Sequence, residues 1–389
     1  MVERMSSQEV DFLPIRENLQ FQVKMLLDMV SRFQVTSRNQ VDKSSSYEPD
    51  IACSSNKLFF DAHVTVANRV QPQYYFSVAV PLALSYLSLT LSATKEFMSE
   101  VPLDDSMTTR EDPESTDLHD FVDYNYLRYF EGGVIVPRKT SDPRRHLIGD
   151  DLFSLTLQLI ALHEEGHYLN GHLDPKLGFA EKGTYSESSV TFPNDNQDHL
   201  LTRRALELDA DNFAITAILL PLMMGNPTAY LSNMGCELAR NPSGYLRFLG
   251  CASMMLGAIL WQAEGDHEKH VEFRTHPTPF CRAVHFLRLT SIFAGFDQFV
   301  DQNDELWDDA FNRDLTVIGR LFEFNRFAPE GIVDLRPRTD TLWSREWEET
   351  RQRLLEIKPE MSEAALRARA TVGAIDFFPG DSIELLEML

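Results

Sequence analysis

The stretch ALHEEGHYLNGHLD, residues 161–174, holds three histidines and three acidic residues at the end of a leucine-striped segment. Leu152, Leu155, Leu159, Leu162 and Leu169 recur at helical spacing, so one side of this segment belongs in a core. Asp150 and Asp151 stand where an N-cap and a favourable first-turn charge belong. Asn170-Gly171 reads as the stop, glycine supplying a positive φ. The expected helix covers 151–169, about five turns. A chain that puts two histidines and two glutamates on the last turns of a core helix must give those side chains buried partners or a wet face.

His163 and His167 are four residues apart, which leaves their imidazoles only about 40° apart around the helix axis. Both can point at one ion. Glu164 is rotated by about 100°, beside such an ion and not on it, where a base serving a metal-bound water belongs. Glu165 is turned away and is read as exposed or paired with a cation. A catalytic zinc takes three protein ligands and keeps one open position. The pattern that takes its third ligand from a later histidine needs Gly at 170 and His at 173. The chain has Asn170 and Leu173 there, and His172 fits poorly as a ligand.

The next helical segment, LLTRRALELDADNFAITAILL (200–220), supplies a better third ligand. Leu206, Ala210, Phe213, Ala214, Ala217 and Ile218 mark a buried face. Glu207 and Asp211, four apart, share another. Glu207 can complete the metal set, and Asp211 can accept the free ring N–H of a ligating histidine. A solvated acidic face with Arg203 pairing Glu207 is the alternative, and Asp209, pointing elsewhere, is read as that ordinary case. Further on, RTHPTPFCRAVHFLRL (274–289) starts a helix at Pro277 and carries His276, Arg282 and His285.

Together, HEEGHYLNGH (163–172), ELDADNFA (207–214) and THPTPFCR (275–282) resemble the zinc metallopeptidases of the HtpX and CAAX prenyl protease family. By motif type they also resemble the soluble Lit-like phage-exclusion peptidases. The resemblance covers roughly residues 150–290. It implies a zincin-like core in which His163, His167 and Glu207 bind Zn2+, Glu164 is the general base and Asp211 supports a ligand. It makes His276 and Arg282 candidates for positioning substrate or charge near the metal, and puts His172 outside the ligand set.

The rest of the chain frames this core. A helix is expected over 1–36, a loop over 40–57, and a strand in LFFDAHVTV (58–66). Residues 100–123 carry nine acidic residues against one basic, Arg110, and read as solvated. GGVIVP (132–137) is a short strand candidate. A long polar connection over 174–199 can cover a cleft, 326–340 is a loop, and 361–375 a last helix. The expected class is mainly α (α+β) in three parts: an N-terminal helical and strand region (1–149), a metallopeptidase core (150–295) and a helical extension (296–389).

A formal net charge of −23 argues against nucleic acid and against anionic lipid as partners. Three uncharged stretches, 71–94, 213–236 and 248–263, suit buried helices better than membrane spans, being polar, broken or short. The start MVERMSSQEVDF has no apolar signal core, and Cys53, Cys236, Cys251 and Cys281 form no C-x-x-C pair. A cytoplasmic protein with reduced thiols is expected. The expected activity is hydrolysis of a peptide bond in a protein or peptide substrate by metal-activated water, with GGVIVP or FFDAHVTV as a strand edge for extended substrate. A zinc protein without turnover, serving interaction or regulation, and a metal hydrolase of a small amide remain open on the residues alone.

Overall fold

The computed structural model describes residues 50–54, 62–65, 73–77, 79–110, 138–174, 177, 184–186, 197–223, 230–264, 276–278, 281–283, 285, 286, 289, 305–321 and 342–372. The expectations for 1–36, 132–137 and 326–340 lie outside them. The described residues are mainly helical, with a small sheet.

The sheet comprises β1 (Asp50–Ser54), β2 (Ala62–Thr65), β3 (Gln73–Ser77) and β6 (Thr184–Ser186), in the order β1-β3-β2-β6. β1 pairs parallel with β3, and β2 pairs antiparallel with both β3 and β6. Ala62, Val64, Tyr74 and Phe76 are buried while their neighbours are half-buried, the period-2 alternation of a sheet with one covered face. The strand read in 58–66 is thus realised over 62–65. It offers no edge to a substrate, because its backbone groups face strands on both sides. The loop expected over 40–57 contains β1: Ile51, Ala52 and Cys53 give it enough apolar character to pair with β3. β4 (Thr108–Arg110) and β5 (Arg138–Thr140) form a separate ribbon. It lies partly in the acidic stretch, whose residues 104–107 are exposed.

The long helices among the described residues are α1 (Ala79–Ser92), α2 (Pro143–Leu169), α3 (Gln197–Met223), α4 (Pro242–Glu264), α5 (Glu305–Leu321) and α6 (Leu342–Val372). α2 is the axis of the fold, about 40 Å long by its rise, with α1, α3, α4, α6 and β2 packed on it. It begins earlier than the expected 151. Its N-cap is Asp142, whose carboxylate accepts the N–H of Arg144, and Pro143 takes the first position. Asp151, expected near the cap, sits mid-helix. Its carboxylate accepts the N–H groups of Gly235 (3.0 Å) and Cys236 (2.7 Å), tying down the loop before α4. Arg145, wholly buried, donates to the carbonyls of Ser92, Thr94, Phe97, Met98 and Val101, and so clamps the turns after α1.

The leucine stripe is buried as expected, Leu152, Leu155, Leu159, Leu162 and Leu169 all lying in the core. The C-terminal stop holds too: Asn170 caps α2 and Gly171 has φ +79°. A Cβ at Gly171 would also stand 2.6 Å from the backbone nitrogen of Ala365 in α6. Gly171→Ala is therefore expected to destabilise the fold by roughly 1–3 kcal/mol or more, since the left-handed conformation alone costs that much. Urea denaturation checks this; an unchanged midpoint would show that α6 does not press on the turn.

α6 starts at Leu342 and runs through Pro359, well before the helix expected at 361. It lies along α3 and α2, so the C-terminal part packs directly on the helices that carry the motifs. Among the described residues one helix is long and apolar enough to cross a membrane. It is α4, over Pro242–Leu260, and 89% of that stretch is buried inside the fold.

Candidate metal centre

α2 and α3 lie in close contact where Gly166 meets Ala210. A Cβ on Gly166 would stand 3.0 Å from Ala210 Cα and 3.0 Å from Phe213 Cβ. The hydrogen in its place lets the two backbones come together. That approach sets the last turns of α2 against the middle of α3. His163 and His167 then meet Glu207, one ligand atom from each lying within 4.8 Å of the others. His163 Nε2 is 3.2 Å from Glu207 Oε2, and His167 Nε2 is 3.5 Å from Glu207 Oε1. The two Nε2 atoms are 3.0 Å apart. All three side chains are buried.

The far nitrogen of each ring decides where its hydrogen sits. His163 Nδ1 is 2.7 Å from Asp211 Oδ1. Burial alone would raise the Asp211 pKa, but Arg282 and His163 hold it below the ordinary value. A carboxylate only accepts, and Asp211 at 2.7 Å is nearer than the Arg282 Nη2 donor at 3.2 Å, so His163 Nδ1 carries the hydrogen. His167 Nδ1 is 2.8 Å from His172 Nδ1, and His172 Nε2 is 3.1 Å from Asp209 Oδ2. Asp209 is ionised as well: against burial, Lys358 and His172 hold its pKa down. His172 therefore donates from Nε2 and accepts at Nδ1, and His167 donates from Nδ1.

The His167 Nε2 lone pair, the Glu207 carboxylate and His163 Nε2, whose lone pair is free once its proton leaves, all face one point. Electron-pair donors facing one point inside a protein require positive charge among them. The donor set fits a metal ion, and this buried His-His-Glu group can hold one. The electrostatics agree. Burial and Arg282 press the His163 imidazole down, yet Asp211 and Glu207 outweigh them and raise its pKa to about 10. A metal ion answers the same demand as that proton and displaces it on binding. Burial drives His167 well below its ordinary value.

Glu164 is wholly buried, one position along α2 from His163. His276 is half-buried, its side chain 12% exposed, with Nε2 3.4 Å from Glu207 Oε1. Burial above all, with Arg282 and Arg203 nearby, lowers its pKa to about 4 despite Glu207. The imidazole is neutral at pH 7. Arg282 grips Asp211 with two hydrogen bonds, Nε to Oδ2 at 2.9 Å and Nη2 to Oδ1 at 2.7 Å. Its Nη1 lies 4.0 Å from Glu207 Oε2. All seven residues singled out in the sequence thus lie in one connected cluster or, for Glu164, beside it on α2.

Two readings of single residues are overturned. Asp209 is no solvated side chain: it is wholly buried and accepts from His172, from Lys358 Nζ at 2.6 Å and from Asn170 Nδ2 at 2.7 Å. Glu165 is not exposed, the first of the two settings read for it. It is buried, and the Tyr74 hydroxyl of β3 donates to its Oε2. Both follow from α2 and α3 being covered on more than one side. A trace of this was present in α3, where Ala205, Leu208, Asn212, Ile215 and Leu219 form a second stripe at helical spacing, all buried.

The support from α6 had no such trace. Glu346 accepts from the N–H and the hydroxyl of Thr278, both at 2.8 Å, and so fastens the turn after His276. Trp347 Nε1 donates to His285 Nδ1 (3.2 Å), and His285 Nε2 donates to Asn212 Oδ1 on α3 (2.6 Å). No family model matches the sequence, and no curated protein and no solved structure matches it.

Proposed function

We propose that this protein is a zinc-dependent endopeptidase with a zincin-like helical core, related in kind to the HtpX and CAAX prenyl proteases and to Lit-like peptidases. One observation carries the reading. Each of two imidazoles has its Nδ1 committed to an acceptor, and both Nε2 atoms converge with a buried carboxylate. Two histidines and one glutamate are a donor set that zinc takes with an open fourth position.

His163, His167 and Glu207 would hold the ion. Zinc in such a site supplies Lewis acidity, lowering the pKa of water toward about 7 and polarising a carbonyl. Glu164, next to His163 and wholly buried, takes the proton from the attacking water and returns it to the leaving nitrogen. Neutral His276, whose side chain is partly exposed, donates a hydrogen bond to the substrate. Arg282 acts one step back from the substrate: its two bonds to Asp211 hold the carboxylate that orients His163. The strong acidity of the chain favours a protein substrate of neutral or basic character.

The test has two parts. Metal analysis of the purified protein is expected to find about one zinc per chain, the capacity of one His2Glu site; iron in its place would overturn the zinc assignment. Incubation with a cell proteome, followed by mass spectrometry of new N-termini, is expected to give cleavage products that vanish with a chelator. Identical termini in both arms would overturn the peptidase reading.

A further inference from the structure

The two histidines of the candidate centre are supported differently. His163 reaches its carboxylate, Asp211, directly. His167 Nδ1 faces a second imidazole at 2.8 Å. That ring is His172, which in turn meets Asp209, and Asp209 is held by Lys358 of α6. Every member of this line is buried. Asn170, the C-cap of α2, donates a further bond to Asp209. The line runs from the metal group across α3 to the C-terminal helix, a part of the chain beyond all three motifs.

We propose that His172 and Asp209 are positioning residues for the metal ligand His167, and that Lys358 makes α6 a working part of the centre. This rests on the zinc reading above. The physical case concerns one hydrogen atom. His167 binds a metal through Nε2 only while its hydrogen stays on Nδ1. His172 imposes that tautomer only if its own hydrogen stays on Nε2, and the Asp209 carboxylate imposes that. Lys358 Nζ, 2.6 Å from Asp209 Oδ1, holds that carboxylate in place beside His172. Each link fixes the next. A histidine here does for His167 what Asp211 does for His163.

The Asn170 contact also explains why α2 ends where it does. The cap side chain turns back to Asp209, the chain reverses at Gly171, and His172 is delivered beside His167 one residue later. The helix stop therefore helps to build the centre.

The experiment uses the full-length protein with Zn2+ and Co2+ as probes. Zn2+ affinity is read by competition with a chromophoric chelator, and ligand geometry by the visible absorption of the Co2+-loaded protein. His172→Phe keeps the ring volume and removes both nitrogens; Asp209→Asn keeps the shape and removes the charge. Each is expected to weaken Zn2+ binding by about 10–100-fold, the usual effect of removing such a supporting partner, and to shift the Co2+ spectrum. Lys358→Met, at the far end, is expected to weaken binding in the same direction, and Lys358→Arg to restore it. A purely structural role would lower the thermal midpoint of the metal-free protein and leave affinity and spectrum within twofold of wild type; that result overturns the proposal. Should His172→Phe or Asp209→Asn fail to fold, the Lys358→Met and Lys358→Arg pair decides on the same readouts. A wild-type protein that binds neither ion sinks the metal reading itself, which separates the two failures.

Discussion

Glu207→Gln is expected to leave the purified, dialysed protein with background zinc, measured by atomic absorption, while its circular dichroism stays that of a folded helical protein. Glu207 is wholly buried, and its two oxygens face His163 Nε2 and His167 Nε2 at 3.2 and 3.5 Å. Burial would raise its pKa, but His276, His167 and His163 hold it well below the ordinary value, so it is present as the carboxylate. The amide keeps the shape and loses the charge. Two neutral imidazoles then remain for the ion, too few for a site that normally takes three protein ligands. Glutamine is the better first substitution because alanine would add a cavity to the effect. Zinc content equal to wild type would remove Glu207 from the ligand set and with it the geometry on which the peptidase reading stands.

Glu164→Gln is expected to do the opposite: zinc stays and turnover goes. The side chain lies on α2 beside His163 but outside the His-His-Glu group, so the ligand set is intact in the variant. An amide cannot accept the proton of the attacking water. Loss of a general base costs about 10²–10⁴-fold in rate. The measurement is cleavage of a substrate found in the proteome experiment, with zinc content measured on the same preparation. Full activity would mean that another group takes the proton. Loss of zinc together with activity would mean that Glu164 supports the ligands and is no base.

The first of these variants tests something only partly legible in the sequence. The pairing of His163 with His167 was plain, because four residues on a helix determine an angle whatever the surroundings. Glu207 and Asp211 shared a face for the same reason, but whether that face met solvent or histidines depended on another helix. Gly166 decided it, by letting α2 and α3 close on each other at Ala210. Asp209 was misread for want of the same information. Its angle on α3 pointed away from Glu207, which was correct, and what lay in that direction was α6 and His172 instead of water. Glu165 went the same way with β3.

Local spacing, then, was enough for the leucine stripe, the Asn170-Gly171 stop, the two convergent imidazoles and a mainly helical chain, because each depends on dihedral angles and contacts within one or two turns. The start of α2 at Pro143, the extent of α6 and the fate of the buried carboxylates Glu165, Asp209 and Asp211 were decided by the tertiary structure. The physical reason is that a charge buried in a protein persists only where partners meet it. Here those partners come from sequence separations of 37, 71, 91 and 149 residues, across which no helical period carries information.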